Sequence, residues 1–238
     1  IKRIALYLYP AEVHMAETKN PFFSFRIIVL IVVALIVVTI IAASGVVYIP
    51  GFSEVLGTHK PRDLGVKADP ARFSALLAKE NVKLTGQTQD FYLTAPIRYG
   101  SAAPMDATVS SEEITSMMQA TNNAKGPLKN MQVKLGTNNE MEMSAFADLE
   151  SYGYPLKGPV YLKGTFLKGS SSSININVRE GSFGLIPVPE NMLKQGEEGI
   201  EQQINRQLQA MPGLRIDALE INNGQLHYRG AFPQSASA

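Results

Sequence analysis

Cysteine is absent from the 238 residues, which removes disulfides, thiolate nucleophiles and thiolate metal sites together. Charge of one sign is also missing: 22 Lys and Arg stand against 21 Asp and Glu, so no global field draws the chain to nucleic acid or to acidic ligands. Histidine is scarce. His14, His59 and His227 lie far apart in sequence, and no two of them share a helix face, so a histidine metal site has no basis. His227 alternates with Leu226 and Tyr228 and reads as a solvent-facing strand residue. There is no N-x-Ser/Thr sequon, no phosphate-loop order of glycines followed by Lys and Ser or Thr, and no GxGxxG between a strand and a helix. Ser170 to Ser173 form a turn-like run without a base nearby, and Glu197, Glu198 and Glu201 read as the polar face of a helix rather than as catalytic carboxylates. The expectation is a protein that is not an enzyme and has no cofactor.

Apolar residues are plentiful, at 45% of the chain, and part of them is concentrated. Residues 27–49, IIVLIVVALIVVTIIAASGVVYI, run 23 positions without a charge. As a helix this run would be roughly 34 Å long, enough to cross a hydrocarbon core of about 30 Å. The sequence therefore predicts a single transmembrane helix. Lys2, Arg3, Lys19 and Arg26 precede it, whereas Lys60 and Arg62 alone follow within 15 residues, so the N-terminus is expected in the cytoplasm and the larger part outside. Residues 1–26 read as a cytoplasmic or interfacial segment, and 50–66, with Pro50, Pro61 and three glycines, as a connector. Residues 67–238 read as an extracytoplasmic domain of α+β class.

Within that domain Asp69 and Pro70 mark a helix start, with Phe73, Leu76 and Leu77 on one face. Residues 82–99 suggest one or two strands. Ser110 and Glu113 form a capping-box pair ahead of Ile114, Met117 and Met118. Met131, Val133 and Leu135 alternate with polar residues, Asn138 and Asn139 offer a turn, and Met141, Met143, Ala145 and Ala147 alternate again, which predicts a hairpin. Strands over 160–169 and 173–177 extend it into an antiparallel sheet. Leu193, Ile200, Ile204, Leu208 and Met211 then form the apolar stripe of a long helix, followed by two strands around Asn223 and Gly224. Eight of the nine methionines lie in this domain, and their adaptable thioethers suit an irregular apolar ligand.

The segments G-L-I-P-V-P (184–189), M-P-G-L-R-I (211–216) and I-N-N-G-Q-L-H-Y-R-G (221–230), with S-S-E-E-I-T-S-M-M (110–118) upstream, resemble bacterial membrane-anchored YpmS-type domains and, more distantly, tubular lipid-binding (TULIP or SMP-like) modules. The resemblance implies an uncleaved span followed by a curved antiparallel sheet packed on a long amphipathic helix, with an apolar groove for acyl chains. On that expectation Met131, Val133, Met141, Met143, Leu193, Ile200, Ile204 and Leu208 line the groove, and membrane lipids are the partners. The competing expectation is a single-span accessory or scaffold subunit of an envelope complex, whose partner subunits contact the span and residues 1–26.

Overall fold

The computed structural model describes residues 59–238, apart from 93 and 151–156. The expected span at 27–49 lies outside the described residues, and among those described no helix is long and apolar enough to cross a membrane. The domain is α+β. Helix α1 (Pro70–Lys79) leads to β1 (Lys83–Thr85), a 3-10 turn, β2 (Arg98–Tyr99) and β3 (Ala102–Ser110). Helix α2 (Ser111–Asn122) precedes β4 (Leu128–Leu135), β5 (Glu140–Asp148), β6 (Lys157–Lys168), β7 (Ile174–Phe183) and β8 (Ile186–Pro187). Helix α3 (Glu190–Gln209) is followed by β9 (Arg215–Asn222), β10 (Gln225–Pro233) and β11 (Ser235–Ser237).

Local signals explain most boundaries. The Asp69 side chain accepts from the Ala71 N–H with Pro70 at the first helical position, and Ser110 and Glu113 form the reciprocal capping box of α2. Asn223 and Gly224 both take positive φ, 50° and 76°, which gives the two-residue turn that matches the twist of the β9–β10 hairpin. Gly230 answers to a close approach: a β carbon there would fall on the Arg215 carbonyl oxygen, at the point where the β9–β10 register shifts.

Strands β4 to β8 form one antiparallel meander, β3, β10 and β9 a second antiparallel sheet, and β1, β11 and β2 a small mixed sheet with β1 parallel to β11. Ile114, Val133, Leu135 and Ile221 make one buried cluster, and Ile174, Ile216 and Leu219 another; Phe166 and Leu226 touch both. The helix between β8 and β9 is present as expected, but it runs along the sheet's edge.

Both edges of the five-stranded sheet are closed by helices. On the β4 side, Ser111 Oγ accepts from the Leu135 N–H at 3.0 Å, and Thr115 Oγ1 accepts from the Val133 N–H at 2.9 Å and donates to the Val133 carbonyl at 3.2 Å. Gln119 Nε2 donates to the Met131 carbonyl at 2.8 Å. On the β7 side, Glu197, Glu201 and Asn205 accept from the N–H groups of Val178, Ile176 and Ile174 at 2.6, 2.8 and 2.9 Å, and Asn205 Nδ2 returns a bond to the Ile174 carbonyl. Each helix uses positions i, i+4 and i+8 against alternate strand residues. The match is metric: four helical residues rise about 6 Å, and two strand residues span roughly 6.7 Å. Glu197 and Glu201, read from sequence as a solvent face, are thus sealing an edge that would otherwise recruit another strand.

Thr115 is fully buried and serves both backbone groups of Val133. Replacing it with the isosteric Val leaves a buried N–H and a buried carbonyl unpaired, at a cost of about 2 to 4 kcal/mol. Urea unfolding followed by circular dichroism should show that loss for Thr115→Val and almost none for Glu198→Gln on the exposed side of α3.

Candidate ligand cavity

An apolar cavity of about 440 Å³ lies among α1, α2, the β3–β10 pair and the small mixed sheet. Its walls follow from strand and helix periodicity. On β3, Met105, Ala107 and Val109 point to it, and on β10 Leu226, Tyr228 and Phe232 do, with Val109 opposite Leu226 and Ala107 opposite Tyr228. Met105 stands opposite Gly230, which has no side chain to fill the space. Helix α1 contributes Phe73, Leu76 and Leu77; helix α2 contributes Met117, Met118 and Thr121. Phe91, Ile97 and Tyr99 come from the 82–99 segment.

Most of the polar groups in the wall are turned to partners of their own, Tyr92 and Ser235 being the other hydroxyl side chains in the lining. Thr121 Oγ1 donates to the Met117 carbonyl, Asn122 Nδ2 to the Met118 carbonyl, and Tyr99 Oη to Gln207 Oε1 at 3.0 Å. Gln207 Nε2 reaches the Ala95 carbonyl. Tyr228 Oη lies 3.0 Å from the Arg215 carbonyl and 2.8 Å from that of Ala231, and its ring meets Phe232 edge-to-face at 5.9 Å. Glu80, also in the wall, pairs with Lys79 at 3.3 Å. Most of what faces the space is hydrocarbon and thioether.

The eight groove residues expected from sequence sit elsewhere. Val133 belongs to the first buried cluster, with Met141 and Met143 packed against it, and Ile204 and Leu208 pack on the second. Met131 is buried in β4, Leu193 lies over Gly181, and Ile200 is half-buried. None of the eight lines this cavity. Within the apolar stripe of α3, Ile204 and Leu208 are taken up by the cluster of Ile174, Ile216 and Leu219. Of the eight methionines singled out in the domain, Met105, Met117 and Met118 reach the cavity. The lining set was present in the sequence as two alternations, 105–109 and 226–232, and the α1 stripe; only the β3–β10 register brings them together.

Elsewhere, His227 Nε2 sits 2.8 Å from Asp106 Oδ1 on the exposed side of the β3–β10 pair. Among the described residues no group of three or more His, Asp or Glu is placed to hold a metal ion. No protein-family model matches the chain, and no curated protein matches it.

Burial pushes the Tyr228 hydroxyl up to about 12, with the Asp217 carboxylate adding and Arg215 opposing, and burial raises Tyr99 as well. An unfolded tyrosine ionises near 10, so between pH 10 and 12 the native state retains a proton that the unfolded state has lost. Stability from Tyr228 is therefore complete below pH 10 and is lost as pH rises through that window. Alkaline titration of phenolate absorbance should show that Tyr228→Phe removes amplitude only from the late, high-pH phase; loss of amplitude near pH 10 would contradict the assignment.

Proposed function

We propose that the chain is a membrane-tethered, extracytoplasmic module that binds an apolar lipid chain and performs no chemistry on it. The observation that supports this reading is the cavity, whose wall is overwhelmingly apolar and where Tyr99, Thr121, Asn122 and Tyr228 turn polar atoms to protein partners. A methylene needs about the 30 Å³ that a water molecule occupies in the liquid. A space of about 440 Å³ then accepts on the order of fifteen of them, one acyl or isoprenoid chain rather than two. Burying each methylene contributes about 0.8 kcal/mol before the costs of association, so a chain of ten or more is held without any charged anchor. The wall has no free cation to take a headgroup, so the headgroup stays outside. The likeness to YpmS-type and tubular lipid-binding domains points the same way, as does the charge-free run at 27–49, which would keep the module beside its ligand's source.

The test uses the full chain in vesicles containing a lipid with a photoactivatable diazirine in its acyl chain. Cross-links should map to peptides covering 105–118 and 226–232 as well as to 27–49. Ala107→Phe, which fills the cavity, should lower the first two by roughly fivefold or more, the factor that about 1 kcal/mol of lost binding produces. Leu64→Ala, which loosens the Leu64–Val66–Tyr161 cluster away from the cavity, should leave them unchanged. Labelling confined to 27–49, or indifferent to Ala107→Phe, would overturn the reading.

A further inference from the structure

Among the described residues the large apolar side chains left exposed are Leu167, Leu185, Ile186 and Met192, and three of the four fall within one stretch of eight residues. Leu185 is 73% exposed, Met192 57% and Ile186 46%. This stretch is built rather than loose. Gly184, at φ 59°, and Leu185 turn β7 into β8, Phe183 pairs with Ile186, and the Val188 N–H returns to the Gly181 carbonyl before Pro189 starts α3. The result is a hydrophobic tip at one end of the five-stranded sheet, with Met192 following in the first turn of α3. Exposed large apolar side chains concentrated in so short a stretch mark a contact surface.

The path of the chain entering the domain indicates what covers it. Arg62 lies over the Tyr161 ring at 4.4 Å, Leu64 and Val66 are buried against Tyr161, the Leu64 N–H donates to Gln132 Oε1, and the Asp69 N–H donates to Ser116 Oγ of α2. The segment therefore runs from Tyr161 on β6 to Ser116 on α2, with its upstream end, Arg62, over β6. Gln132, Ser144, Tyr161, Ser182 and Pro187 form one cross-strand row. Two strand spacings, about 10 Å, separate Tyr161 from Pro187 at the tip. Twelve residues, 50–61, join the end of the charge-free run to Arg62. Twelve residues span at most about 40 Å.

We infer that the tip formed by Leu185, Ile186 and Met192 inserts into the outer face of the bilayer that anchors the chain. This rests on the reading of 27–49 as a span. The short connector holds this end of the sheet near the headgroups, where the tip buries its side chains to the depth of the acyl boundary. The loop from Gly169 to Ser173, at the far end of β6 and β7, is then held away from the bilayer, roughly 25 Å along the strand.

Because the chain lacks cysteine, single labels are unambiguous. The full chain carrying an environment-sensitive fluorophore at Leu185→Cys, Ser171→Cys or Val38→Cys is reconstituted in phosphatidylcholine vesicles with spin-labelled acyl chains. The expected result is strong quenching at 38, quenching at 185 by labels near the headgroup at least about threefold above that at 171, and little at 171. Quenching at 38 with none at 185 would overturn the tip insertion and leave the span standing. No quenching at 38 would overturn the span and, with it, the insertion. Equal quenching at 185 and 171 would also overturn it, as unoriented adsorption.

Discussion

Hydrogen bonds from helix side chains to the open edges of the five-stranded sheet are the interaction on which the remainder depends. An edge strand presents backbone donors and acceptors that must find partners, and water or another strand is the usual solution. Here α2 and α3 lie antiparallel to β4 and β7 and supply short polar side chains every fourth residue. Edge closure fixes where each helix stands and how it is rotated. With Ser111, Thr115 and Gln119 committed to β4, Ile114 is turned into the core and Met117 and Met118 are turned towards the cavity. With Glu197, Glu201 and Asn205 committed to β7, Ile204 and Leu208 meet the second cluster, and Gln207 reaches Tyr99 and Ala95 at the cavity wall.

The cavity is a consequence of that placement. Sheets β4–β8 and β3–β10–β9 share the two buried clusters through Phe166 and Leu226, but the outer face of α2 and one side of the β3–β10 pair diverge. Helix α1 and the small mixed sheet cover the gap without filling it. An apolar space of this size offers few polar atoms to hold water, so it favours an apolar occupant. Binding capacity thus follows from packing that is left incomplete at one place.

Much of this architecture was legible in the sequence, for local reasons. Asp69–Pro70, Ser110 with Glu113, the alternation of Met131, Val133 and Leu135, and Asn223–Gly224 each encode their element within a few residues, and each is present in the structure. The cavity was not legible, because its walls come from α1, the 82–99 segment, β3, α2 and β10, and β3 pairs with β10 across more than a hundred residues. Glu197 and Glu201 mislead for a different reason. A carboxylate on a helix surface is ordinarily solvated, and only the neighbouring strand's unpaired N–H groups give these two another partner. The apolar stripe of α3 was visible, but whether such a stripe faces core or ligand is decided by what lies against it.

Hydrogen exchange tests the edge-closure account most directly. In the full chain, amides of Val133, Leu135, Ile174, Ile176 and Val178 should exchange as slowly as those of the interior strand β5, although they point away from any neighbouring strand. Replacing Glu201 with Ala should release protection in the peptide spanning 174–178 and leave that spanning 131–135 protected. Fast exchange at these amides in the unaltered chain, at the rate of an open strand edge, would contradict the account.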